Sequence, residues 1–439
     1  MTDKKIIAVL ILLGVLIAAG FFIFSATQKK VEQEIVVNQS VISSVEQSIL
    51  AGFREQLEIL KPVDTETLKL MVRHTYPNYT MIPGSGNFTL RGSVHGLFSF
   101  FWHQHEINGS EELAKEVLDW AMNVTAENGG IFPGFDAGCI GAYLVHGMIS
   151  SGLPKDHELI KKMLESMKEL RVPDGGWVVL DYSKAKKPDG TPYDISSTEV
   201  NPTMIAAFLK AGYSLNDSLI KQAIKANDGA ILKSAYMKEY YPDYILGNAW
   251  SIILYKEIGI SKFDAFRKAR NELIDLVLAK PDPNNTYIIG CALLALQGVI
   301  PNSSTPYRNS VSMMMNRYDK NTSRFLAGDS PIFGAEFSKT ADSSLAPLFA
   351  LKKVGYNKRW FNLSLPENPP CGEITRVGDK MIVKSENPPD IEWTENDFIT
   401  IKNATMNGGS GSYEYTPPAK PFHVVMNCTS YYWVSGWYS

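Results

Sequence analysis

Between Thr65 and Tyr356 the chain alternates two kinds of helical segment, and no other feature constrains its fold as strongly. One kind carries an apolar stripe and a charged face: 65–75, 110–126, 156–170, 216–228, 262–279 and 305–318. Helices of that pattern lie half exposed on a domain surface. The other kind is small, apolar and nearly uncharged: 92–105, 136–151, 198–212, 245–258, 286–299 and 341–355. A helix that is apolar on every side is buried by its neighbours. Six exposed helices alternating with six buried ones predict two concentric layers, a mainly α fold of the (α/α)6 toroid type covering residues 63–365.

The connections sharpen this expectation. Those from a buried helix to the next exposed one are short, as at Ile107-Asn108-Gly109 and Gly152-Leu153-Pro154. Those in the other direction are often long: 76–91, 171–197 and 318–340. In a toroid all long loops share one end with the N-termini of the buried helices. Functional loops collect where a rigid scaffold presents them. Helix N-termini add unpaired N–H groups and partial positive charge, which suits an anionic or polyhydroxylated ligand.

Residues outside the helical alternation define three further regions. Ile6–Phe24 is apolar apart from glycine and follows Lys4 and Lys5. At ~1.5 Å per residue it approaches the ~30 Å core of a bilayer, so residues 1–30 are expected to form a membrane anchor, with a cleaved signal peptide as the alternative. Residues 31–62 are expected to form a helical stalk, a spacer merging into the first helix rather than a coiled coil, with apolar Ile35, Ile42, Val45, Ile49, Phe53, Leu57 and Leu60 mostly at a 3–4 spacing after one seven-residue step. From 366 to 439 short β-branched and aromatic runs separated by turns predict a small antiparallel β domain. It ends in Tyr431-Tyr432-Trp433-Val434-Ser435-Gly436-Trp437-Tyr438, an aromatic run read either as packing against the helical domain or as a partner surface.

Asn-x-Ser/Thr occurs at Asn38, Asn78, Asn87, Asn108, Asn123, Asn216, Asn284, Asn302, Asn321, Asn362, Asn403 and Asn427. That is about half of the asparagines. The excess points to a glycosylated extracytoplasmic chain, although these residue types also share loops for other reasons. A single anchor with dense sequons resembles archaeal cell-surface glycoproteins; a eukaryotic type II membrane protein is the alternative. The expected location is the cell membrane, single-pass, with the bulk of the chain outside. Outside the cell, Cys371 and Cys428, which bracket the β segment, are candidates for a disulfide. Cys139 and Cys291 are expected as buried thiols. The net charge of −3 gives no reason to expect nucleic acid as a partner.

The unit Met163-Leu164 through Asp174-Gly175-Gly176-Trp177, followed by Met204-Ile205-Ala206-Ala207-Phe208-Leu209-Lys210-Ala211-Gly212, resembles the repeat of the squalene cyclase and protein prenyltransferase toroids, the terpenoid-cyclase superfamily. Asn128-Gly129-Gly130 and Asn227-Asp228-Gly229 are degenerate copies. The glutamine usual before the turn is missing, with Glu169 near its place. The resemblance implies the toroid fold. It does not carry the family's chemistry: the Asp-x-Asp-Asp acid motif of the cyclases is absent. Asp136, Cys139 and His146 do not have the zinc spacing of the prenyltransferases. No metal or cofactor is expected from any motif.

Candidate site residues follow from the long-loop end. Asp136 and Glu199 are a carboxylate pair of the kind glycoside hydrolysis needs. Tyr244 and His95 are a pair suited to proton abstraction in a lyase or epimerase. Trp177, Tyr193, Asn201, Asn248 and Asp342 are candidates for ligand binding, the aromatic ones by stacking on sugars. Each has a structural alternative, such as helix capping by Asp136 and Asp342 or plugging by Trp177. His103 and His105 lie at the far end of their helix and are left out of the site. The expected function is binding or processing of a glycan at the long-loop face. The alternative is a non-catalytic envelope or adhesion scaffold whose β domain docks a partner.

Overall fold

The computed structural model describes residues 39–73, 89–133, 139–178, 196–234, 241–258, 263–282, 285–300, 302, 304–326, 341–357, 360–363, 373–394, 398–402, 411–417, 422–428 and 431–438. The anchor at 1–30 therefore lies outside the described residues, as do Asp136, Tyr193 and Cys371. Among the described residues no helix is long and apolar enough to cross a membrane.

The described part is mostly helical, with a small β region at the C-terminal end. Its helices are α1 (Gln39–Leu60), α2 (Thr65–Arg73), α3 (Thr89–His103), α4 (Glu111–Glu127), α5 (Cys139–Ser150), α6 (Glu158–Glu169), α7 (Val200–Lys210), α8 (Ser218–Leu232), α9 (Tyr241–Ile258), α10 (Phe263–Glu272), α11 (Thr286–Leu296), α12 (Thr305–Asn316) and α13 (Leu345–Leu351). A π-helical turn, Leu273–Leu278, continues α10.

The two expected helix kinds are both present. In α6 the residues Ile160, Met163, Leu164 and Met167 are buried on one side, and His157 caps the N-terminus by accepting from Leu159 N. In α11 all residues from Thr286 to Leu296 are buried. The apolar helices touch in succession, α3 to α5, α7, α9, α11 and α13. The amphipathic helices flank them: α4 on α3, α6 on α5, α8 on α7, α10 on α9 and α12 on α11. Two glycines permit the close approaches. A Cβ on Gly247 of α9 would run into the backbone of Thr198 and Glu199 ahead of α7. One on Gly290 of α11 would sit 2.6 Å from Pro347 N of α13.

The segment read as a stalk behaves differently. Helix α1 touches both α3 and α13, so it lies between the last apolar helix and the first. Its residues Ile42, Val45, Ile49, Phe53, Leu57 and Leu60 belong to the same core as the other helices. Phe53 stacks on Phe100 with ring centroids 5.0 Å apart. Glu46, 3% exposed, accepts from Lys352 Nζ at 2.6 Å. Ser48 Oγ accepts from Arg324 Nε at 2.9 Å. The 3–4 spacing of α1 thus reports burial against the helical body, and residues 39–60 belong with it.

The C-terminal strands have a core of their own. Strands β3 (Glu373–Val377), β4 (Lys380–Ser385) and β7 (Gly411–Tyr415) form one sheet; β5 (Asp390–Thr394), β6 (Phe398–Lys402), β8 (Phe422–Cys428) and β9 (Tyr431–Tyr438) form another. Ile374, Met381 and Val383 of the first pack with Ile399, Ile401, Val424 and Met426 of the second. Every pairing is antiparallel except β6 with β8, which run parallel in register Phe398–His423 to Ile401–Met426. A parallel neighbour requires a crossover, and here the chain leaves the second sheet to form β7 before returning. A two-stranded hairpin, β1 (Tyr318–Asp319) with β2 (Arg324–Phe325), interrupts the helices after α12. The aromatic strand β9 is an edge strand and lies against α9.

Candidate functional site

Side chains from all six apolar helices line one cavity: Trp102 and His103 from α3, Tyr143 from α5, Thr203 from α7, Trp250 from α9, Tyr287 from α11 and Leu345 from α13. The free space is about 10 Å³, the size of one water site. Two residues that follow α13, Trp360 and Phe361, complete its lining and plug the space between α3, α9 and α13. The Trp360 ring lies 3.7 Å from His103 and stacks on Trp250 at 5.1 Å. Phe361 lies 5.3 Å from Trp102.

Three ionisable side chains from three apolar helices hold this plug by its backbone. Glu257 Oε1 of α9 accepts from Phe361 N at 2.8 Å. His146 Nε2 of α5 bonds Phe361 O. Lys210 Nζ of α7 donates to Asn362 O at 2.9 Å. Ser150 Oγ lies 3.3 Å from His146 Nδ1, so the bond to a carbonyl assigns the ring proton to Nε2. Burial pushes Glu257 well above the usual carboxylate range, opposed by the N–H groups of Phe361 and Asn362. Burial, followed by the charge of Lys210, holds His146 well below the usual imidazole range. Burial does the same to His103. His103, set aside in the sequence as remote, therefore lines the cavity.

Toward the N-termini of the apolar helices, Glu199, Cys139, Tyr143 and Tyr287 come together. All are buried. Burial raises the Tyr143 phenol well above its ordinary range, and Cys139, Tyr287 and Glu199 raise it further by their negative potential. Glu199 stands at the N-cap of α7, one turn before the cavity-lining Thr203. This mouth combines one carboxylate with two phenols. Asp136, the second carboxylate expected there, lies outside the described residues.

A second polar group joins two residues expected from the sequence. Tyr244 Oη donates to Glu272 Oε2 at 2.5 Å and Asn248 Nδ2 donates to the same oxygen at 2.8 Å. Lys268 Nζ is 3.8 Å from the other carboxylate oxygen. Burial and the bond to Glu272 push Tyr244 up to about 12. Near neutral pH such a phenol keeps its proton, directed at Glu272, and has no free phenolate with which to abstract another. Tyr244 and Asn248 thus act here as buried partners of Glu272, between α9 and the end of α10. The partner proposed for Tyr244, His95, is on α3, with its side chain outside the described residues.

Two residues expected to bind ligand hold the Gly-Gly-Trp turn instead. The Trp177 side chain is fully buried. Its indole donates to Met167 O at 2.7 Å and stacks on Phe208 at 5.7 Å. Asn201 accepts from Trp177 N at 2.8 Å and donates to Ser196 Oγ at 2.7 Å. Asp174 accepts from Gly176 N and Ser196 N. Gly175 takes φ +97° to make the turn, a conformation glycine adopts without a Cβ penalty. This network fastens α6 to α7, with the Trp177, Asn201 and Ser196 side chains buried inside it. Asp342 begins a 3-10 turn ahead of α13, its side chain outside the described residues.

The sequence reading missed Glu272, Tyr143, Tyr287, Trp250 and the Trp360-Phe361 plug. Large aromatic residues recurring on otherwise small apolar helices were the available signal for the cavity lining. Cys139 and Cys291 are buried thiols. Among the described residues no group of three His, Cys, Asp or Glu side chains is placed to hold a metal ion. Comparison with protein-family models, curated proteins and solved structures finds no match to this chain.

Proposed function

We propose that this chain is a membrane-anchored extracytoplasmic glycoprotein whose helices close as an (α/α)6 toroid, with α1 as the sixth outer helix, and that the toroid is a non-catalytic scaffold. The observation that carries the scaffold reading is the filled centre: Trp360 and Phe361 occupy the cavity and leave about 10 Å³. A drug-sized ligand needs ~300–1,000 Å³. The turn residues Trp177 and Asn201 are likewise spent on structure. Partners, a glycan or an envelope protein, then bind outer surfaces, with the aromatic β domain as the docking module. The anchor reading is supported by Ile6–Phe24 and the extracytoplasmic one by the sequons. Deleting 366–439 from the anchored chain should remove co-purifying partners and leave the helical domain folded by circular dichroism. Undiminished association would defeat the docking role.

A second reading is supported by the mouth group, where Glu199 lies with Tyr143 and Tyr287. A carboxylate beside aromatic rings suits a sugar, and processing would need Asp136 as its counterpart. Glu199→Gln and Asp136→Asn should each abolish glycan turnover without unfolding. Turnover unchanged in both would sink this reading.

A further inference from the structure

We infer that the folded chain accepts N-linked glycans at Asn216 and Asn321, whereas the sequons of Asn108, Asn123 and Asn302 are sealed by the fold. This rests on the glycoprotein reading and deepens it by choosing among the sequons. In the transfer, Asn Nδ2 bonds to the anomeric carbon of a glycosyl phosphate donor. The C–O bond to phosphate breaks, its electron pair leaving with the phosphate, and Nδ2 gives one proton to a base of the transferase. The acceptor sequence specifies a hydroxyl two residues after the asparagine, so the enzyme must reach both the amide and that hydroxyl.

At Asn108 both are engaged. Its Nδ2 donates to the two oxygens of Glu46 at 3.1 and 3.0 Å, and Glu46 is itself buried and paired with Lys352. The hydroxyl of Ser110 is buried and donates to Gln104 O at 2.7 Å. Asn108, itself exposed, caps an ion pair buried beneath it, and its amide and the Ser110 hydroxyl are both held. At Asn123 the amide is on the exposed side of α4, but Thr125 is fully buried, its Oγ1 donating back to Ala121 O at 2.6 Å. At Asn302 the asparagine is exposed while Ser304 Oγ is buried.

The other two are open. Asn216 lies in the connection from α7 to α8, and both it and Ser218 are exposed. Asn321 lies in the turn of the β1–β2 hairpin. Its backbone N–H is held by Asp319 Oδ1 at 3.0 Å, leaving the side chain exposed. Ser323 is partly exposed, with φ +54° turning the chain.

The test is glycopeptide mass spectrometry on the full-length chain purified from the membranes of its source cells. Glycan on the peptides of Asn216 and Asn321, with those of Asn108, Asn123 and Asn302 bare, is the expected result. Comparable occupancy at any of the three sealed sites overturns the assignment, as do bare Asn216 and Asn321 beside modified sequons elsewhere. If all twelve sequons are bare, the glycoprotein reading falls and the assignment with it. As a second readout, Asn216→Gln should remove one glycan mass and leave the melting temperature unchanged. Asn108→Gln should leave the mass of attached glycan unchanged and lower the melting temperature. The reverse pattern overturns the assignment.

Discussion

Replacing Trp360 with alanine tests whether the plug is integral to the helical domain. Trp360 is 4% exposed, so nearly all of the ~200 Å² that a tryptophan side chain carries is out of water. At about 25 cal/mol per Å² that is worth up to about 5 kcal/mol, and less once partial burial in the unfolded chain is counted. Loss of the stack on Trp250 and the edge contact with Phe349 adds about 1 kcal/mol. The expected cost is therefore about 3–5 kcal/mol, the usual range for such truncations. At about 2–4 °C per kcal/mol for large domains, the melting transition of the helical domain should fall by about 10 °C. The void is lined by Trp102, Trp250, His103 and Phe349, so indole should refill it. At ten times its dissociation constant indole would restore about 1.4 kcal/mol. The assay is thermal denaturation of the full chain in detergent, with and without indole. Val377→Ala in the β domain, at a side chain 57% exposed, serves as a control and should change nothing. A loss below about 1 kcal/mol, or indole raising the wild-type melting temperature equally, would refute the seating of Trp360 and with it the filled-centre argument.

Three other outcomes follow from the same geometry. Lys352→Met leaves Glu46 buried without its cation and should cost about 3–5 kcal/mol, much of it recovered in Glu46→Met/Lys352→Met; urea titration of the three variants decides, and additivity would count against the pair. Asn201→Ala strands the buried Trp177 N–H and should cost about 1–3 kcal/mol, seen as a lower urea midpoint, while an unchanged midpoint would mean the turn does not depend on it. The pH dependence combines opposing groups. His103 and His146 have depressed folded pKa values, so their stability is intact above about pH 6.5 and is lost as pH falls below it. Glu257 has a raised one, so its contribution is present below its unfolded value and lost as pH rises. As pH falls below about 6.5 the unfolded chain takes up protons at the histidines that burial excludes from the fold, while burial favours a proton on folded Glu257. Stability should therefore fall between pH 6 and pH 5, and fall more steeply in Glu257→Gln, which lacks the opposing group. Denaturation curves at pH 6 and 5 measure it, and equal slopes would show that Glu257 is already ionised in the fold.

The helical layers were legible because burial writes itself into periodicity. The uncharged segments became α3, α5, α7, α9, α11 and α13, with ends displaced by up to about four residues, most of all at 341–355, where the α-helix is only Leu345–Leu351. Helix α1 was harder: its stripe of Val45, Ile49, Phe53 and Leu57 is visible, but a stripe does not name its partner, and the adjacent apolar anchor invited the reading of a stalk. Trp360 and Phe361 belong to no periodic segment, so nothing local marks them as the filling of a cavity made elsewhere. Glu272 looks like any charge on an amphipathic helix; only the approach of α9 makes it the acceptor for Tyr244 and Asn248. The polar residues of the Gly-Gly-Trp unit were visible as a cluster, but whether Asn201 faces a ligand or a backbone N–H is a matter of which carbonyl points where. The parallel pairing of β6 with β8 depends on strand order, to which side-chain alternation is indifferent.

The position of α1 has a consequence in time. Its bonds to the far part of the chain span 276 residues, from Ser48 to Arg324, and 306, from Glu46 to Lys352. At the usual ~5–20 residues per second, a ribosome needs roughly 15–60 s to deliver those partners. Until then one flank of α1 and the matching flank of α13's future site stay open to water and to other chains. Closing so wide a separation is slow even once both ends exist. A nascent chain of this protein therefore carries an amphipathic helix covered on its α3 side and open on the other through most of its synthesis, and its yield should depend on what shields that flank of α1 as well as on the stability of the finished molecule.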